Sequence, residues 1–180
     1  MSVPADRNPL TDETGEFCDE GQAGPVWFLS GTFGNSAERV CTAPTGKKIL
    51  VPVFNWIFGA GAFDCEPSLP DVPCDIPALQ ELAAENTEAA VVLDVTIDGV
   101  PVANVAGYRS ISPEPFGLIY PDNSVTGLPA GTYSPNVSDG YWLMLTPLTK
   151  GVHTIEVHVI APGTIFGLIE YEIITHLIVE

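Results

Sequence analysis

Basic side chains are scarce in this chain. Lys47, Lys48, Lys150, Arg7, Arg39 and Arg109 are the whole complement against 23 acids, a formal net charge of −17 over 180 residues. Charged residues make up 16%, against about 25% in a typical soluble domain, so the imbalance is basic depletion rather than acidic enrichment. Phosphate backbones are gripped by clustered Lys and Arg, and anionic lipid surfaces by basic patches. A nucleic-acid partner is therefore not expected, and docking on anionic lipid is disfavoured. Such an exterior suits salty or calcium-containing surroundings.

Long apolar runs are missing too. No stretch approaches the ~18 apolar residues of a membrane helix, so no membrane insertion is expected. The opening residues, Met1 to Asp6, lead into polar and acidic sequence rather than the apolar core of a signal peptide. Either a leader has been removed or the protein leaves the cell by another route, as a virion or appendage component does.

Catalytic motifs are also wanting. There is no Gly-x-Ser-x-Gly elbow, no His-Glu-x-x-His and no phosphate-cradling glycine loop before a helix. A glycosidase needs no more than two carboxylates at a suitable separation, so a hydrolase of unknown type ranks third among the readings. No catalytic residue is assigned.

What is present is alternation. In Gly151 to Ile160, residues Ile155, Val157 and Val159 point one way while Thr154, Glu156 and His158 point the other, the period-two pattern of a half-buried strand. After the break at 161–163 a second run places Ile169, Tyr171, Ile173, Leu177 and Val179 on one face. Two long strands with one apolar face each need a facing layer. The chain is therefore expected to be all-β, a two-sheet β-sandwich of immunoglobulin-like or jelly-roll-like kind.

Further strands are expected at Pro25 to Phe33, Glu38 to Thr42, Lys48 to Phe58, Val91 to Ile97, Val100 to Tyr108, Phe116 to Tyr120 and Tyr141 to Leu145, about eight to ten in all. Pro52 lacks a ladder donor and points to an edge or a bulge in its strand. Asp98-Gly99 is a hairpin turn signal. One short helix is expected near 76–90, with Asp75 as N-cap and Pro77 in its first turn. Residues 1–20 read as an extended acidic arm and 21–180 as a single sandwich domain.

Cys18, Cys41, Cys65 and Cys74 allow three pairings, and their spacing does not match a zinc site. Two disulfides are expected, Cys65–Cys74 closing a local loop and Cys18–Cys41 tying the N-terminal segment down. The alternative is four buried thiols in a reducing compartment. Asn136-Val-Ser138 is a glycosylation sequon where the host modifies such sites.

Three segments, Gly24 to Gly34, Cys41 to Asn55 and Asp139 to Ile155, resemble a family of uncharacterised, mostly secreted microbial proteins. The resemblance implies an exported β-sandwich, and neither activity nor functional residues come with it. The chain departs from that pattern in lacking an export leader.

Candidate sites follow from residue type. Asp64, Glu66, Asp71 and Asp75 crowd the loop that Cys65 and Cys74 would close, and calcium favours flexible oxygen-rich loops. Asp12, Glu13, Glu16, Asp19 and Glu20 form a second acidic group. Calcium is the one cofactor considered; otherwise none is expected. Glu156 and His158, with Glu170, Glu172 and His176 on the next strand, share an outer surface, read as a solvated polar face in preference to a metal site. His153 reads as an inward, hydrogen-bonded structural residue. Tyr120, Tyr133, Tyr141 and Trp142 fall in or beside turn-rich segments where rings can stack on a sugar.

The leading functional expectation is an extracellular or cell-surface structural and interaction module that self-assembles or decorates a surface. Its partners would be copies of itself or another surface protein, met through the acidic arm or through the uncapped strand ending at Glu180. The alternative is a carbohydrate- or small-ligand-binding module with a glycan as partner.

Overall fold

The computed structural model describes residues 2–60 and 75–180. Among these residues the strands are β1 (Val26–Phe28), β2 (Ala37–Ala43), β3 (Lys48–Gly59), β4 (Val92–Ile97), β5 (Val100–Pro101), β6 (Arg109–Ile111), β7 (Phe116–Tyr120), β8 (Gly131–Leu145), β9 (Gly151–Thr164) and β10 (Gly167–Val179), with one α-helix, α1 (Ile76–Glu88). One sheet runs β1-β3-β8-β6 with β7 also on β8, and the other runs β2-β10-β9-β4-β5. The pairs β1/β3 and β2/β10 are parallel and the rest antiparallel, so both sheets are mixed. The two sheets pack face to face: the chain is a β-sandwich.

Alternation builds the interface. Ile155, Val157, Val159 and Ala161 of β9 are buried, as are Tyr171, Ile173 and Leu177 of β10. Across from them lie Ile49, Val51, Phe54, Trp56 and Phe58 of β3 and Val137, Tyr141 and Leu143 of β8, in one continuous core. Full burial of each such aliphatic side chain is worth about 1.5–3 kcal/mol. On the outer face Glu156 and His158 lie opposite Ile174 and Glu172.

α1 begins as expected. Asp75 Oδ1 accepts a 2.8 Å bond from the Ala78 N–H, and Leu79 and Ala83 are buried. Asp98 (φ 53°) and Gly99 (φ 73°) make the tight turn between β4 and β5, a backbone shape that asks for short or absent side chains. Other boundaries differ from expectation. After Pro101 pairing stops, because Asn104 turns left-handed (φ 53°) and Val105–Tyr108 winds into a 3-10 turn. β1 ends at Phe28 rather than Phe33, because Arg39 draws the carbonyls of Ser30 and Gly31 to itself. β8 starts at Gly131, ten residues before the expected Tyr141, because Pro135, Asn136 and Gly140 disguise a strand as a turn region.

Cys18 and Cys41 form a disulfide, with Cα atoms 5.6 Å apart. Cys65 and Cys74 lie outside the described residues. The acidic N-terminal segment lies folded against the body. The Ala5 N–H bonds the Asn123 carbonyl, the Val40 N–H bonds the Thr14 carbonyl at 2.9 Å, and Arg39 Nε donates to the Asp12 carbonyl. A Cβ on Gly15 (φ 94°) would sit 2.4 Å from the Val40 oxygen, so only glycine permits this approach.

The C-terminal strand corrects one expectation. β10 is interior, flanked by β9 on one side and β2 on the other as far as Val179, and Glu180 exchanges backbone bonds with Ala43 and Thr45. Its edges are filled from within, so it has none to offer a neighbouring sheet.

Candidate functional site

The register of β3 sets up the site. β1 pairs with β3 only at Lys48, Ile49 and Leu50, and one further bond runs from the Leu29 N–H to the Leu50 carbonyl. Arg39 explains why β1 then leaves. Its guanidinium is buried in the body and donates to the carbonyls of Ser30 and Gly31, bending that segment away from β3. Burial pulls the Arg39 pKa down against the opposing pull of Asp12 and Glu13, but a guanidinium remains charged.

Between the diverging segments lies a cleft of about 730 Å3. Phe28 to Gly34 lines one wall and Pro52 to Ile57 the other, with Trp142, Phe166, Ile169 and Tyr171 completing it. Neighbouring residues on a strand point to opposite faces. Six consecutive lining residues on β3 therefore mean that the cleft views the strand edge-on.

That edge can be specified atom by atom. The Ala60 N–H bonds the Pro135 carbonyl, and the register continues through Phe58↔Val137, Trp56↔Asp139 and Phe54↔Tyr141. Antiparallel pairs alternate between bonded and non-bonded positions. The N–H and C=O groups of Asn55 and Ile57 therefore point away from β8, into the cleft. Pro52 faces the same way, so its missing donor costs the ladder nothing. The register shifts between Pro52 and Phe54, leaving Val53 as a bulged residue. Its carbonyl accepts a 2.5 Å bond from the Tyr171 hydroxyl, whose pKa burial pushes up.

The walls are aromatic. Trp56 is stacked between Phe58 and Phe166, with ring centroids 5.6 and 5.8 Å away, and Phe54 meets it edge-on at 5.9 Å. Phe28, Phe33 and Phe166 are each about half exposed at the rim (47%, 47% and 57%). Several polar side chains are spent internally. Gln22 bonds the Phe28 N–H and carbonyl, Asn8 bonds Val3 and Leu10, Thr32 bonds the Asn35 carbonyl, and Glu20 pairs with Arg7 at 3.0 Å. The cleft thus offers apolar surface, two backbone positions, the buried Trp56 Nε1–H, which has no partner among the described residues, and the side chains of Ser30 and Asn55.

Of the four aromatic residues expected to stack on a sugar, one lies in this cleft. Trp142 lines it, on the outer face of β8; Tyr141, next along the strand, is buried in the sandwich. Tyr120 and Tyr133 pair edge-on at 5.3 Å in the β7/β8 hairpin, where Tyr133 donates to the Pro129 carbonyl. The four do not form one platform.

Asp75 serves as the helix cap; Asp64, Glu66 and Asp71 lie outside the described residues. In the second acidic group, Asp12 accepts bonds from the N–H groups of Thr14, Gly15 and Phe17 and from the Thr14 hydroxyl. Burial pushes its carboxyl up, but these donors outweigh that and hold it below the ordinary value. On the outer face His158 lies between Asp94 and Glu172 in register, and His176 bonds Glu38 at 2.9 Å. No three His, Cys, Asp or Glu side chains among the described residues are grouped to hold a metal ion.

Asn136 is fully buried, and its amide nitrogen donates to the carbonyls of Phe116 and Tyr133. That nitrogen is the atom a glycan would occupy, so the folded sequon is closed to modification.

Comparison of the chain with protein-family models, with curated proteins and with solved structures finds no match.

Proposed function

We propose that the protein is an extracellular interaction module that holds an apolar partner in the aromatic cleft beside β3. The observation that carries this reading is the cleft's composition: several aromatic walls, rim phenylalanines left half exposed, and polar side chains such as Gln22, Asn8 and Thr32 committed to the protein's own backbone. Pockets of about 300–1,000 Å3 with mostly apolar linings are the usual form of ligand sites, and exposed apolar clusters mark places where something docks. The Cys18–Cys41 disulfide supports an oxidising, extracytoplasmic setting.

The sugar-binding reading has less behind it. A pyranose brings many hydroxyls, and burying them against spent polar groups leaves them unpaired at about 1–3 kcal/mol each.

Nile red, an uncharged apolar dye, tests the proposal. Saturable binding with enhanced, blue-shifted emission is expected, and Phe33→Asp should weaken it at least tenfold. Absence of saturable binding, or equal binding by a folded Phe33→Asp variant, would overturn the reading.

A further inference from the structure

We propose that the partner in this cleft is an extended peptide segment from another polypeptide, which adds as a strand to the open edge of β3 by pairing with Asn55 and Ile57. The inference rests on the binding role proposed above and specifies how the cleft is filled.

Three observations lead to it. First, the N–H and C=O groups of Asn55 and Ile57 face the cleft, and among the described residues no backbone or side-chain group bonds them on that side. Strand edges that lie open are the template for strand addition. Second, the other edges are managed. Thr14 caps the edge of β2 at Val40, Gln22 takes both backbone groups of Phe28 on β1, β5 and β6 are two and three residues long, and β7 is broken by a register shift. Third, the open edge is the one that borders a walled apolar space. A strand placed there has both faces served, since its alternate side chains meet Trp142 and Pro52 on one side and Phe166, Trp56 and Tyr171 on the other. Main-chain bonds would supply affinity, and these walls would select side chains.

Charge narrows the chemistry further. Glu20 is the one ionisable acid in the lining, no Lys or Arg lies there, and the protein carries a net charge of −17. An apolar segment with uncharged or basic flanks is favoured, and an acidic one is repelled.

The test uses two synthetic octapeptides of alternating valine and threonine with a lysine at each end. One has an ordinary backbone, and the other is N-methylated at every backbone amide so that it can donate along neither edge. The ordinary peptide should bind, and its presence should slow hydrogen exchange of the Asn55 and Ile57 amides at least tenfold. The N-methylated peptide should bind at least tenfold more weakly. Ile57→Pro removes a donor that β8 does not use and should lower peptide affinity at least tenfold.

Equal binding of both peptides would overturn strand addition while sparing the binding cleft. So would Nile red binding with no peptide binding and no new amide protection. Loss of both dye and peptide binding would reject the binding module itself.

Discussion

His153 shows how single side chains in this fold reveal their protonation state. Its Nδ1 lies 2.8 Å from Asp98 Oδ2 and its Nε2 lies 2.9 Å from the Thr149 carbonyl. Both partners are acceptors, so both ring nitrogens must donate, which favours the imidazolium. The Asp98 bond, with help from Thr149, raises the His153 pKa above 6.5, and the His153 bond lowers that of Asp98. A raised histidine pKa gives stability that is full below about pH 6.5 and is lost as pH climbs through the folded value. On the acid side the pair survives until Asp98 protonates, below its ordinary carboxylate range. Asp98 is half exposed, so the effect is screened and amounts to at most about 1 kcal/mol. Asp98→Asn is the clean probe. Asn-Gly makes the same turn, and the amide oxygen can still accept from the Thr154 N–H that now bonds Asp98 Oδ1 at 2.9 Å. Urea unfolding at pH 6 and pH 8 should show the wild type losing more stability across that interval than Asp98→Asn. Equal losses would mean that His153 does not carry the dependence.

Among the elements, α1, β6 and β8 are joined through one buried charge. Asp139 is fully buried on β8 and receives Arg109 Nε at 2.9 Å and Nη2 at 2.7 Å, while Arg109 Nη1 reaches Glu88 at the end of α1. The Asp139 hydrogen bond leads in raising the Arg109 pKa further. Thr87 of α1 also donates to the Asp139 carbonyl. Removing one partner strands the other charge in the core, so Arg109→Met should cost about 3–5 kcal/mol in urea unfolding. Adding Asp139→Asn should recover part of that loss, and a cost below about 1 kcal/mol would mean the pair contributes little. None of this was legible in the sequence, because Arg109 and Asp139 are thirty residues apart and meet only through β6/β8 pairing. What was legible is what local pattern encodes: the faces of β9 and β10, the Asp75 cap, the Asp98-Gly99 turn and the irregularity at Pro52. The cleft was half legible. Pro52 marked an edge or bulge, but Lys48 to Phe58 read only as one more strand, and nothing local ties Phe54, Trp56 and Phe58 to Phe28, Phe33 or Phe166. That union depends on Arg39 drawing the 30–31 carbonyls off the sheet.

Among the described residues the pairing surfaces other than the β3 edge are covered or short, and the disulfide holds one of those covers in place. Cys41 sits on β2 and Cys18 on the segment that lies along its edge, so the bond pins Thr14 and Gly15 over the Val40 backbone. β2 is seven residues long, and its outward-facing Val40 is 55% exposed, a combination that invites pairing with another chain once the edge is free. The bridged cysteines are 23 residues apart in sequence, and a loop of that length is worth about 3 kcal/mol to the folded state by chain entropy. The variant with Cys18→Ser and Cys41→Ala should therefore lose about that much stability in urea unfolding. Its N-terminal segment should be cut by a protease at concentrations that leave the native chain whole. Light scattering should detect dimers or larger species in the variant that are absent from the native protein, and clipping of the segment should increase them. If the variant loses stability yet stays monodisperse after clipping, the segment is an anchor and not a guard of the β2 edge. The open edge of β3 would then have no claim to be a deliberate exception, because an uncovered β2 would be equally inert.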